Sequence, residues 1–274
     1  MPQGTRFMRD SFGREIEYLR ISVTDKCNLR CRYCMPASGV AHRRHDEVLR
    51  IEQFVEVVRA ATEIGISKIR LTGGEPLVRK GIVELVRGIA AVPGIEKVAM
   101  TTNGLLLKGM VRELREAGLS HLNVSLDTLD PEAYSLVTRG GSLREALEGI
   151  LAAKEAGFEK IKVNTVVTEA SYHPEEMAAL KAFCEQNGFE LQRIAEYSLS
   201  EEKRDTMRFE RPLPCSECNR IRLLSSGKLK PCLHSDIEIP VDFENITESL
   251  RQAILAKPEV GSVCTNRSMV EIGG

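Results

Sequence analysis

The sequence predicts an α/β fold, a partial (β/α)6 barrel followed by a small C-terminal module. Six short strand-like segments alternate with segments of helical periodicity, and several of the strands alternate polar with apolar residues. This pattern ends at about Leu199, where a stretch of charged residues begins. We therefore expect a barrel domain at 1–198 and a C-terminal module at 199–274.

The elements follow from local periodicity. Alternating apolar residues predict a first strand at 18–23, and helical spacing from Ile51 to Thr62, ended by Gly65, predicts a first helix. The same alternation predicts further strands at 68–72, 96–101, 121–126, 160–167 and 190–197. Apolar periodicity predicts further helices at 80–91, 106–117, 131–138, 143–156 and 174–187. This order implies parallel strands joined by right-handed crossovers.

Polar residues occupy every second position in four of these strands. They are Arg20, Ser22, Lys68, Arg70, Thr72, His121, Asn123, Ser125, Lys160, Lys162 and Asn164. Successive side chains of a strand point to opposite faces, so these residues share one face of the sheet. If the apolar face packs on the helices, the polar face lines a positively charged lumen that suits an anionic guest. The alternative is an open sheet with one wet face.

The region after the sixth strand has a different character. Charged residues crowd the stretch from Leu199 to Pro214, which predicts a solvated linker. Segments 220–224 and 228–232 flank a turn at Gly227 and predict a β-hairpin.

Composition restricts the class of protein. The chain of 274 residues is 42% hydrophobic and 28% charged, as is typical of a globular protein. A net charge of −1 gives no support for nucleic acid or an anionic membrane as partner. The polar N-terminus does not resemble a signal peptide, and no apolar run approaches the length of a membrane span, so we expect a cytoplasmic protein. In that setting the eight cysteines indicate metal ligation rather than disulfides.

The first cysteine set is Cys27, Cys31 and Cys34, spaced C-x3-C-x2-C. Three thiolates this close can bind zinc, copper(I) or an iron–sulfur cluster. A [4Fe–4S] cluster held by three cysteines leaves one iron open, whereas structural zinc needs a fourth donor, for which His42 and His45 are candidates.

The second set is Cys215, Cys218 and Cys232. His234 and Cys264 are candidates for a fourth ligand, which would make the site zinc or a closed structural cluster. With neither, an iron would be open to substrate. The eighth cysteine, Cys184, lies on the apolar side of a predicted helix and is interpreted as a core residue.

The first spacing, with Tyr33 before the last cysteine, resembles the signature loop of the radical S-adenosylmethionine (SAM) superfamily. Within it, the chain resembles the GTP 3′,8-cyclase family, which catalyses the first step of molybdenum-cofactor biosynthesis. The resemblance covers nearly the whole chain and rests on segments 10–14, 19–24, 27–36, 69–76, 101–104, 123–127, 162–164, 215–222 with Cys232, and 267–274.

The resemblance implies two [4Fe–4S] clusters and SAM as cofactors, GTP as substrate, an unidentified electron donor and a possible homodimer. The first cysteine set would hold the SAM-binding cluster and the second set a cluster that holds the guanine. Contacts to SAM would come from Tyr33, Gly74 and Ser125. Contacts to GTP would come from Arg20, Arg70, Thr101, Lys162, Arg220, the Ile221 backbone and Arg222. Arg220 and Arg222 would also be catalytic, together with a movable Gly273–Gly274 tail that enters the active site.

The implied fold is the partial TIM-type barrel of radical SAM enzymes. The implied reaction converts GTP to (8S)-3′,8-cyclo-7,8-dihydroguanosine 5′-triphosphate through a 5′-deoxyadenosyl radical. Two departures stand out: the segment before Cys215 is short for the family, and Ser198 or Leu199 replaces a methionine that would touch SAM. Two alternatives remain, a related two-cluster enzyme acting on a peptide or another nucleotide, and a zinc-stabilised binding protein without redox chemistry.

Overall fold

The computed structural model describes residues 7–168, 173–201, 209 and 214–273. Its strands are β1 Tyr18–Ser22, β2 Lys68–Thr72, β3 Lys97–Thr102, β4 His121–Ser125, β5 Ile161–Val167, β6 Glu190–Ala195, β7 Arg220–Leu223, β8 Lys228–Lys230 and β9 Ile239–Pro240. Its α-helices are α1 Ile51–Glu63, α2 Ile82–Ala90, α3 Val111–Glu116, α4 Pro131–Thr138, α5 Leu143–Glu155, α6 Pro174–Asn187, α7 Ile246–Leu255 and α8 Met269–Ile272.

The strands form one sheet in the order β6-β5-β4-β3-β2-β1-β7-β8-β9. The first six are parallel neighbours in sequence order, as strand–helix–strand units require. The sheet continues through the C-terminal hairpin, because β7 pairs in parallel with β1 while β8 and β9 are antiparallel. The hairpin was predicted; its pairing with β1 was not.

Apolar residues of the strands face the helices, as the alternation predicts. Leu19 and Ile21 of β1 and Ile69 and Leu71 of β2 have no exposed surface. The buried face of α1, which includes Phe54, belongs to the same apolar core. The polar face of the sheet is therefore turned away from the helices.

Two local predictions were wrong. The helix expected at 106–117 is divided into a short 3₁₀ turn, Leu107–Gly109, and α3, because Met110 has a non-helical φ of −127° beside a glycine of low helix propensity. Leu199 is buried rather than solvated and packs with Leu224, Cys264 and Ile272 in a small second core. Residues 202–208 and 210–213 of the expected linker lie outside the described residues.

The C-terminal part returns to the barrel. Helix α7 lies next to α1, and α8 is capped by Ser268 and Glu271 and ends at Gly273, which has a left-handed φ of 74°. Among the helices described here, none has the length and apolar character needed to span a membrane. The division into domains at residue 198 stays a prediction.

Candidate active site

The polar face of the sheet lines a cavity of about 530 Å³. The expected polar residues on its wall are Arg20, Lys68, Arg70, Thr72, Thr101, Asn123, Ser125, Lys162 and Asn164, joined by Arg220 and Arg222 of β7. The prediction of a polar, cationic lumen is confirmed. Three residues assigned to that face, Ser22, His121 and Lys160, are not among the described residues of the wall.

Three arginines lie side by side across the sheet. In the strand register Arg20 of β1 is directly opposite Arg70 of β2 on one side and Arg222 of β7 on the other. Burial, and next the charge of Arg222, lowers the pKa of Arg20 well below its ordinary value. Burial also lowers the pKa of Arg222. We call Arg20, Arg70 and Arg222 the arginine row.

Neighbouring groups respond to the same positive field. Burial alone would raise the pKa of Tyr18, yet Arg70 and Arg20 lower it. Burial, together with Lys97 and other cations, lowers the pKa of His121 to about 4. Adjacent buried cations repel one another, so an anionic ligand in this cavity would relieve a strain that the free protein contains.

The remaining predicted GTP contacts have partners of their own. Arg70 Nη1 donates to Thr101 Oγ1 at 3.2 Å, and Lys162 forms an ion pair with Glu190. The Ile221 side chain is fully buried in the core, so only its backbone could serve a ligand.

The first cysteine set follows β1 and lies against the end of β2. Gly74 N donates to Thr24 O at 2.8 Å, and Glu75 N donates to Lys26 O at 2.9 Å. A Cβ at Gly74 would lie 2.3 Å from Lys26 O, so only glycine permits this approach. The sequence Gly73–Gly74 thus positions the loop that carries the cysteines.

Buried acids support the same edge of the sheet. Tyr33 Oη donates to Asp127 Oδ2 at 2.9 Å, and burial raises the pKa of Asp127 to about 6. Glu75 accepts hydrogen bonds from Leu77 N, Thr102 Oγ1 and Asn103 N, and burial raises its pKa to about 7.

Cys27, Cys31 and Cys34 all line the cavity, and burial raises the pKa of each thiol, that of Cys31 to about 12. These thiols would become ligands only with a metal that replaces their protons. Neither His42 nor His45 lies on the described wall, and His42 lies beside Asp25 instead. Three clustered thiols on an accessible wall, with no histidine beside them, fit a cluster with one open iron.

Cys215, Cys218 and Cys232 also line the cavity. Lys257 Nζ lies 3.2 Å from Cys218 Sγ. Burial alone would raise the pKa of Cys218, but Lys257 and Arg220 lower it to about 6. This set therefore also fits a metal centre. In the described part of the chain, no three His, Cys, Asp or Glu side chains are arranged as ligands of a single metal ion.

The two candidates for a fourth ligand occupy different places. His234 is on the cavity wall and its ring packs against Tyr197, with 5.4 Å between ring centroids. Cys264 instead contacts Lys230 and Asn266.

The two cysteine sets lie at opposite edges of the parallel sheet. The first follows the carboxyl end of β1. Cys218 precedes the amino end of β7, and Cys232 follows β8, which runs antiparallel to β7. The arginine row lies between the two sets.

The C-terminal tail reaches the arginine row. Arg222 Nη1 donates to Gly273 O at 2.8 Å, and a Cβ at Gly273 would lie 2.5 Å from Thr72 Cγ2. Gly274 lies outside the described residues.

Several wall residues were not predicted as part of the site. Among them are Tyr18, Lys97, Gln192, Tyr197 and Lys257. Tyr18 and Gln192 were within reach of the alternation pattern, since each shares the inward face of its strand. Lys257 had no such signal, because it follows a helix in sequence and comes close only through the fold.

Comparisons with known proteins agree with this geometry. Residues 21–181 match the model of the Radical SAM superfamily. The GTP 3′,8-cyclase of Alkaliphilus oremlandii (strain OhILAs) is 39% identical over 322 residues, which cover 97% of this chain and 100% of the relative. That of Petrotoga mobilis is 36% identical over 323 residues, with the same coverage. These aligned lengths exceed the 274 residues of this chain, so the relatives contain residues that it lacks.

Solved structures support the fold. Streptococcus suis SuiB bound to S-adenosylmethionine superposes with a TM-score of 0.68 at 17% identity, covering 89% of this chain and 64% of that one. The enzyme anSMEcpe with bound AdoMet gives 0.65 at 16% identity, covering 88% and 80%. The partial barrel predicted from the sequence is confirmed. The chain belongs to the radical SAM superfamily and, within it, to the GTP 3′,8-cyclase family.

Proposed function

We propose that this protein is a radical SAM GTP 3′,8-cyclase that forms (8S)-3′,8-cyclo-7,8-dihydroguanosine 5′-triphosphate. One observation carries the proposal: a single cavity holds two cysteine sets at opposite edges of the sheet, with three arginines between them. The curated relatives of similar sequence have the same named activity.

Membership of the superfamily implies a [4Fe–4S] cluster and SAM. We assign that cluster to Cys27, Cys31 and Cys34, and a second [4Fe–4S] cluster to Cys215, Cys218 and Cys232. The bound cofactors supply a 5′-deoxyadenosyl radical that removes the 3′ hydrogen of the GTP ribose before the bond to C8 forms.

The protein's own residues bind and orient the reactants. We assign the arginine row to the triphosphate, because guanidinium groups pair well with phosphate oxygens. Arg220, Thr101 and Lys162 extend that site along the wall. With the triphosphate held there, the base can face the second cysteine set while the ribose stays accessible from the first.

Tyr33, Gly74 and Ser125 are assigned to SAM. Gly73 and Gly74 fix the first cysteine loop against β2, and the Tyr33–Asp127 hydrogen bond orients the aromatic ring. We assign Gly273 and Gly274 to a tail that supports catalysis from the arginine row. The electron donor, a homodimeric assembly and a cytoplasmic location stay predictions.

The test is anaerobic reconstitution with iron and sulfide, followed by incubation with SAM, dithionite and GTP and mass spectrometry of the products. We expect 5′-deoxyadenosine together with an isomer of GTP. Deoxyadenosine without conversion of GTP would favour another substrate, such as a peptide, and colourless protein containing zinc would favour the binding-protein alternative.

Two variants separate the cysteine sets. Cys27→Ala should abolish deoxyadenosine formation and remove about half of the iron. Cys218→Ala should also remove about half of the iron but retain SAM cleavage without GTP conversion. Cys184→Ala is the matched control, because this cysteine is buried against the core away from the cavity and should leave the iron content unchanged.

A further inference from the structure

Residues 257–261 pass all three sulfurs of the second cysteine set. Lys257 Nζ lies 3.2 Å from Cys218 Sγ, and Gly261 N donates toward Cys215 Sγ at 3.4 Å. A Cβ at Gly261 would lie 3.1 Å from Cys232 Sγ and 2.9 Å from His234 Cβ. One short segment thus provides a cation, an amide and a close backbone approach to this site. We call it the sulfur-facing segment.

The Lys257 side chain is buried, with an exposed fraction of 2%. Its ammonium also donates to Arg220 O at 3.0 Å and Pro231 O at 3.2 Å, so its three donors have three partners. A buried ammonium is unfavourable unless negative charge lies nearby. A cluster held by three thiolates would supply that charge.

The sulfur-facing segment is anchored by the N-terminal turn. Arg14 donates to Pro258 O at 2.6 Å and Glu259 O at 2.9 Å, and to Cys215 O at 2.8 Å. Asp10 pairs with Arg14 at 2.6 Å, and both side chains are almost fully buried. One guanidinium therefore holds the segment and the Cys215 loop in a fixed relation, which keeps Lys257 at hydrogen-bonding distance from the sulfur.

We propose that Lys257 is a positioning residue that tunes the second cluster, its ammonium raising the reduction potential through the hydrogen bond to Cys218 Sγ. The inference rests on the second cluster of the proposed function. Reduction adds one electron to a cluster that is already negative, and a nearby positive charge and N–H···S bonds stabilise the reduced form. The proposal assigns Lys257 no contact with the reacting atoms.

The experiment is an anaerobic dithionite titration of the reconstituted full-length protein, followed by electron paramagnetic resonance. The variants are Lys257→Met, Lys257→Gln and Lys257→Arg. Cys218→Ala supplies the spectrum of the first cluster alone, and the response to SAM identifies that cluster in every variant. Lys230→Met is the matched control, because Lys230 is equally buried in the same module but contacts Ser235 O and Cys264.

In Lys257→Met we expect the reduced-to-oxidised ratio of the second cluster at a fixed potential to fall about tenfold, which is about 59 mV for one electron. Lys257→Gln should shift in the same direction by less, Lys257→Arg should restore most of the loss, and the first cluster should not change. If Lys257→Met does not assemble its second cluster, Lys257→Gln and Lys257→Arg give the same comparison.

Two results would overturn the inference. One is an unchanged potential of the second cluster in the neutral variants, and the other is an equal shift in Lys230→Met. Either result would leave the proposed function intact. A wild-type protein with about four iron per chain, rather than about eight, would overturn the second cluster and this inference together.

Discussion

Replacing Arg20 by methionine tests the arginine row directly. Arg20 is the central member, with Arg70 and Arg222 opposite it in the neighbouring strands. A hydrogen bond to a charged group contributes about 1.5–3 kcal/mol, which corresponds to about a 10- to 100-fold loss of affinity. We therefore expect the Kd for GTP to rise by about that factor. Methionine keeps much of the side-chain volume, so the apolar core behind β1 should not change.

The substitution should also stabilise the free protein. Burial and the charge of Arg222 already lower the pKa of Arg20, which means that its charged form is disfavoured in the ligand-free cavity. Removal of that charge should raise the melting temperature while it weakens GTP binding. A loss of both stability and affinity would instead indicate a structural role for Arg20.

The assay is anaerobic equilibrium binding of GTP, GDP and guanosine to the reconstituted protein. Because the row is assigned to phosphates, Arg20→Met should weaken GTP strongly and guanosine little. Arg144→Met is the control, since its side chain is 81% exposed and the same charge is removed. An equal loss for GTP and guanosine, or a GTP affinity within twofold of wild type, would refute the assignment.

Two further predictions concern the first cysteine loop. Gly74→Ala would place a Cβ 2.3 Å from Lys26 O, so we expect loss of SAM binding and of about half of the iron, while Gly109→Ala, whose Cβ meets no atom within 4 Å, should behave as wild type; normal iron content in Gly74→Ala would contradict this. Asp127 has a folded pKa of about 6, above its ordinary 3.8, so its stabilising contribution is present at low pH and is lost as the pH rises through 6. Asp127→Asn should therefore gain stability relative to wild type by about 1 kcal/mol between pH 5 and 7, measured by denaturant unfolding, and a constant difference would show that Asp127 does not titrate there.

The sequence predicted the barrel well because its strands carry a strong local signal. Alternation places β2 at its observed bounds and the other barrel strands within two residues at each end. The same alternation placed Arg20, Arg70 and Lys162 on the cavity wall. A periodic pattern of this kind depends only on neighbouring residues, which is why it survives folding unchanged.

Contacts between distant segments carried no such signal. The pairing of β7 with β1 joins residues about two hundred positions apart, and no periodicity records it. Lys257 resembles an ordinary exposed lysine after a helix, and only the anchoring by Arg14 brings it to Cys218. The burial of Leu199 was missed for the same reason, since its partners Leu224 and Cys264 come from the hairpin and the tail.

The β1–β7 pairing changes how the C-terminal module should be understood. Without it, Arg20 and Arg70 would form an incomplete row at the edge of the barrel, because Arg222 is contributed by β7. The same strand sets the position of Cys218, and its Arg222 binds the backbone of Gly273, which packs against Thr72 of β2. The barrel and the module therefore share one binding surface. Substitutions on either side of the row should affect substrate binding together, because the proposed phosphate site exists only where the two are paired.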